Sequence, residues 1–266
     1  MAGSEESRSN RFQEVADGAR EKAVEAAQSA RESAVETATQ ARESAAALKE
    51  SASERIRAVK PKFRGVSHEW AFFLSLGLGV ALIALAETPL DLVAVAIYAV
   101  SLSALFGVSA LYHRIDWKTT KSRMLMRKLD HSMIFLMIAG TVTPFALLTI
   151  PGGWGTGILV AVWTAAIIGI AIELLWSGSP KWVSVIVYLV VGWLGALAFP
   201  QIVGSVGIAA GLLIATGGVL YTVGAVVYAT QKPDPKPSHF GYHEVFHLFV
   251  IGAAGAHFAA VAIFAL

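Results

Sequence analysis

From residue 69 onward the chain alternates long apolar runs with short polar connections. Seven runs reach the roughly 20 residues a bilayer crossing requires: 69–87, 91–112, 130–150, 155–175, 182–200, 204–229 and 242–265. Gly and Pro occur inside them, as at Gly140 to Pro144 and Gly217-Gly218. Membrane helices tolerate this because neighbouring groups satisfy the freed backbone. The pattern predicts an all-α fold, a seven-transmembrane helix bundle over 66–266.

Residues 1–65 follow a different rule. Ala-Arg-Glu recurs at 19–21, 30–32 and 41–43, with a decayed copy at Ala52-Ser53-Glu54. Eleven residues make three turns at 3.67 per turn, so the repeat keeps one stripe in register along a helix. That stripe is mostly Ala, with only Val24, Val35, Leu48 and Ile56 larger, and it buries too little area for a core. The arm is read as a conditionally helical solvated segment, a weak interfacial helix on lipid, or a self-associating coil. Its polar start, Ser4-Glu5-Glu6-Ser7, does not read as a secretory signal.

Composition sharpens the division. The chain of 266 residues is 55% hydrophobic and 15% charged, far below the charge content of a soluble domain. Residues 1–65 hold 11 of the 19 acids and 12 of the 21 Lys and Arg. The net charge of +2 is uninformative as a total; the expected partners are membrane lipids, with no nucleic acid. With no cysteine, thiolate metal sites and disulfides are excluded, so a metal must use His, Asp or Glu.

Charge placement also predicts orientation. Arg55, Arg57, Lys60, Lys62 and Arg64 precede the first run. The connection from His113 to Leu129 carries Arg114, Lys118, Lys121, Arg123, Arg127 and Lys128. Lys181, Lys232 and Lys236 mark the fourth and sixth connections, and the first, third and fifth have no Lys or Arg. The positive-inside rule then puts the N-terminus in the cytoplasm and the C-terminus outside. His113, Asp130, His243 and His247 would share the cytoplasmic level, though the sequence separates some of them by more than a hundred residues. Ionisable groups in spans are costly, and a functional site is their default reading.

His243 and His247 stand four apart, so a helix projects both from one face. Three neutral imidazoles plus a water would make the open tetrahedral site used by catalytic zinc. Such a site lowers the pKa of its water from 15.7 to about 7. Asp130 could hold that water or act as general base, and Ser109, one turn before His113, could orient a ligand or bond a substrate oxygen.

Ser109-Ala110-Leu111-Tyr112-His113, Leu129-Asp130-His131-Ser132 and His243-Glu244-Val245-Phe246-His247 resemble, in this order, the three signature blocks of the hemolysin III / progestin-and-adipoQ-receptor family. The resemblance covers about 65–266 and not the repeat arm. It implies Zn2+ held by His113, His243 and His247, with Asp130 and Ser109 as the candidate catalytic residues beside them. It also implies a bacterial inner-membrane protein acting in membrane homeostasis, as a ceramidase-like hydrolase of lipid amide or ester bonds. The alternative is a non-enzymatic sensor or receptor-like regulator with structural zinc.

His243-Glu244-x-x-His247 also spells the zincin motif, in which Glu is the base. No soluble protease domain surrounds it, so the spelling reads as incidental, and Glu244 either assists catalysis or faces headgroups. His131 points about 100° from Asp130 along the helix and is left out. His257, about 15 Å deeper than His247, reads as a buried hydrogen-bonding histidine. His68 and His239 read as loop-edge residues without a specific role. Glu173 reads as a partner of a basic loop residue or a snorkelling side chain.

Overall fold

The computed structural model describes residues 28–29, 31–48, 60–176 and 181–266. The chain divides into two units, 1–59 and 60–266. In the first, 31–48 is helical and exposed throughout. This helix includes the repeat copy at 41–43, whereas the copies at 19–21 and 52–54 lie outside the described residues.

The second unit is all helix apart from loops and one isolated bridge between Lys236 and Phe240. Its elements are α1 (Val66–Leu85), α2 (Pro89–Arg114), α3 (Thr120–Pro144), α4 (Gly153–Leu175), α5 (Lys181–Leu194), α6 (Phe199–Val206), α7 (Ile208–Thr230) and α8 (Tyr242–Phe264). A π turn, Phe145–Thr149, extends α3, and a 3₁₀ turn, Gly195–Ala198, joins α5 to α6. Counted as spans, α5 and α6 make one crossing, so seven apolar helices are long enough to cross a membrane.

Two boundaries differ from the hydropathy reading. The third helix starts at Thr120, ten residues before the apolar run, because Thr119 caps it by accepting from the Ser122 N–H. The intervening Lys and Arg are good helix formers, so charge ends the apolar run without ending the helix. Asp130 therefore sits in the third turn, and no helix dipole accounts for it. The fifth crossing runs on to Val206 with a break at Gly195–Ala198, just before Pro200. Proline removes a backbone donor there, and a tighter turn absorbs the loss. Near Pro144, Thr143 donates to the Ala139 carbonyl at 2.7 Å and Thr149 to that of Phe145 at 2.9 Å.

Helices meet closely where one lacks a side chain. A Cβ on Gly140 of α3 would collide with the Ser101 side chain of α2. This approach sets α2 and α3 side by side, and with them the ends carrying His113 and Asp130. At that same end, residues 60–65 act as a clasp. Lys62 N–H donates to the Ser238 carbonyl at 3.1 Å and Phe63 N–H to that of His239 at 3.0 Å. Arg64 pairs with Glu244 of α8, whose other carboxylate oxygen accepts the Gly241 N–H at 2.7 Å. Gly65 then turns the chain into α1 with φ +81°, and a Cβ there would stand 2.6 Å from the His113 Cβ.

Gly140→Leu is expected to cost about 1–3 kcal/mol through overpacking, seen as a lower thermal midpoint in detergent. An unchanged midpoint would mean that α2 and α3 do not approach here. Two ion pairs give a contrast in magnitude. Arg64→Ala leaves a carboxylate that is 2% exposed without its cation, an expected loss of about 3 kcal/mol or more. Glu69→Ala breaks a pair in which Glu69 is 40% and Arg114 45% exposed, with an expected change of at most about 1 kcal/mol. Denaturant melts of the two variants compare them directly.

Candidate metal centre

The last turn of α2 carries His113, with Ser109 one turn earlier on the same buried face. The first turns of α8 carry His243 and His247, also buried. Their helices bring the three imidazoles together: ring centroids lie 4.7 Å apart for His113 and His243, 5.1 Å for His113 and His247, and 4.6 Å for His243 and His247. One nitrogen from each ring falls within 4.8 Å of the other two. The Nε2 atoms of His113 and His243 are 3.1 Å apart.

That spacing fits a shared cation. Two nitrogens on a tetrahedral zinc at 2.0–2.1 Å stand about 3.3 Å apart. His247 Nδ1 is buried and finds no hydrogen-bond partner among the described residues, which is costly in an apolar interior. The three histidines can hold a metal ion.

Asp130 completes one side of the cluster. Its Oδ2 lies 3.7 Å from His113 Nε2, beyond hydrogen-bond range but beside the nitrogen that meets His243. Ser109 Oγ lies 2.8 Å from His68 Nδ1, and Ser109 and Asp130 line the same cavity.

His68 departs from the loop-edge reading. It lies in the first turn of α1, buried, with its ring stacked on that of His247 at 3.7 Å and 5°. Its Nε2 has no partner among the described residues. The available signal was a histidine just inside an apolar run, masked by the basic cluster before it.

The other polar residues also find definite places. Glu244 neither reaches the three histidines nor faces headgroups, since Arg64 and the Gly241 N–H take its two oxygens. His257 donates from Nε2 to the Ile214 carbonyl at 3.1 Å, the buried hydrogen bond expected of it. His239 is exposed beside Ser238. Glu173 bonds His131 Nδ1 at 2.9 Å and, among the described residues, makes no ion pair with a Lys or Arg, and both line the cavity that His243 and His247 border.

That cavity, about 610 Å³, opens between α3, α4, α5, α7 and α8. Along α3 its wall passes from Arg127 and Asp130 through Ile138 and Thr141 to Phe145. Eighteen steps of 1.5 Å make about 27 Å, close to the roughly 30 Å hydrocarbon thickness of a bilayer. Polar groups gather at the histidine end, and the remainder is mostly apolar.

Comparison with known proteins agrees with these features. The haemolysin-III related family profile matches residues 56–258. The chain is 37% identical over 171 residues to "Hemolysin-3 homolog" of Bacillus subtilis (strain 168), covering 64% of this chain and 76% of that protein. It is 37% identical over 175 residues to "Hemolysin-3" of Bacillus cereus, covering 65% and 76%. The human "Monocyte to macrophage differentiation factor" is 28% identical over 168 residues, 62% of this chain and 67% of that one. With its seven apolar helices and a buried three-histidine cluster joining the second and last of them, this integral multi-pass membrane protein belongs to the haemolysin-III related family.

Proposed function

We propose that the protein is a zinc-dependent hydrolase of an amide or ester bond in a membrane lipid, with its histidine end facing the cytoplasm across a bacterial inner membrane. One observation carries this reading: a single cavity lined by His243, His247, Asp130 and Ser109 continues into a mostly apolar trough, its α3 wall about 27 Å from end to end. Its volume lies within the range of small-molecule sites, and its shape suits one acyl chain with the scissile carbonyl at the polar end. Basic residues at that end, among them Arg114, Arg127 and Lys128, support the orientation.

His113, His243 and His247 would hold the ion. When bound, zinc supplies a Lewis acid that polarises a carbonyl and acidifies water. Asp130 accepts the proton as the water oxygen attacks the acyl carbon. The C–N or C–O bond then breaks, and the same carboxyl returns the proton to the departing nitrogen or oxygen. Ser109, lining the same cavity as Asp130, would aim that carboxylate or hold a substrate oxygen. His68 fixes Ser109 from behind and braces the His247 ring.

The purified protein is expected to carry close to one zinc per chain by elemental analysis and to release fatty acid from a lipid amide. Asp130→Ala keeps most of the zinc and loses hydrolysis by about 10²-fold or more. Zinc-free wild type, or full activity in Asp130→Ala, would sink the reading. His68→Ala removes a brace rather than a ligand, so zinc affinity is expected to fall about tenfold, against near-complete loss in His247→Ala. Equal affinity in His68→Ala and wild type, measured by chelator competition, would remove His68 from the site.

A further inference from the structure

A second polar cluster lines the same cavity. His131 of α3 meets Glu173 of α4 through Nδ1 and Oε1 at 2.9 Å. The other carboxylate oxygen accepts from Ser184 Oγ at 3.2 Å and from the Tyr188 hydroxyl at 3.5 Å, both on α5. None of these groups takes part in the reaction above. The Tyr228 ring meets both clusters edge-on, His131 at 6.4 Å and 88° and His243 at 5.7 Å and 65°. The dyad therefore lies within two ring contacts of the three-histidine site, at the polar end of the trough.

The chemistry of the dyad limits what it can bind. A carboxylate only accepts, so the hydrogen between His131 and Glu173 belongs to Nδ1. The carboxylate thus orients the imidazole, as a third group orients the base in a catalytic triad. Nε2 is left for a ligand. A hydroxyl can meet it in either protonation state, because it both donates and accepts. An alkyl group in its place would leave a polar atom unpaired.

Resting on the reading that this cavity takes a lipid, we propose that the His131–Glu173 dyad is a headgroup subsite. It binds the hydroxyl of a single-chain acyl amide or ester while the acyl carbonyl reaches the three histidines and the chain lies in the trough. The pair thereby selects hydroxylated lipids over otherwise identical ones.

Two probes differing in one atom test this: N-palmitoyl ethanolamine and N-palmitoyl propylamine, in which a methyl replaces the hydroxyl. Binding to the full-length, zinc-loaded protein in detergent is read by competition with a fluorescent acyl amide. Wild type is expected to bind the hydroxylated probe about tenfold more tightly. His131→Phe keeps a ring in place, so it should bind both probes with nearly the propylamine affinity of wild type. Glu173→Gln should show reduced discrimination. Equal affinities in wild type, binding of neither probe, or full discrimination in His131→Phe would each overturn the proposal. Loss of both probes in His131→Phe would also overturn it, since the pair would then be a tie holding α3 to α4. Hydrolysis is scored separately: discrimination without turnover sinks the hydrolase reading and leaves the subsite standing, and turnover without discrimination does the reverse.

Discussion

An imidazole taken out of water must find a partner for each nitrogen or leave a polar atom stranded in an apolar interior. Four of them, His68, His113, His243 and His247, are buried at one end of this bundle, drawn from its first, second and last helices. Their mutual stacking and edge contacts account for the rings but not for every nitrogen. A cation among three of them would remove much of that deficit, and the same cation would join α2 to α8. The second and last crossings would thus be joined through polar chemistry, in a bundle where apolar packing alone gives little preference between helix and lipid.

The zincin-like spelling at His243 shows how location decides a side chain's work. In a soluble protease, the glutamate after the first histidine faces the substrate. Here it turns toward Arg64 and the helix start, fastening the clasp of residues 60–65 over the end of α8. The spare carboxylate near the histidines comes instead from Asp130, on a different helix. Glu244 is buried and Asp130 partly buried, yet one is spoken for by a cation and the other faces an imidazole nitrogen across 3.7 Å.

Hydropathy was enough for the seven crossings, because a bilayer imposes a length that few other structures need. The three-histidine cluster was legible for a similar reason, since a four-residue spacing on a helix and a polar residue in an apolar run are both rare without cause. Residues whose meaning depends on a neighbour from another helix were not legible. His131 looks idle beside Asp130 until Glu173 of α4 arrives opposite it, and His68 looks like part of the basic flank until α8 slides beneath it. The start of α3 was hidden because hydropathy reads solvent preference while a helix is made by backbone and cap. Nothing in the composition marks Gly195–Ala198 as a break, apart from the proline just beyond.

Gly65 sits outside every helix and has no atom to offer a ligand. Its left-handed backbone and its fit against the His113 Cβ nevertheless make it the tightest point near the cluster. A methyl group there would strain the turn and press on the very ring that forms one corner of the triplet. The geometry of the three-histidine cluster thus depends, mechanically, on a residue outside it, in the loop that leads to the first helix.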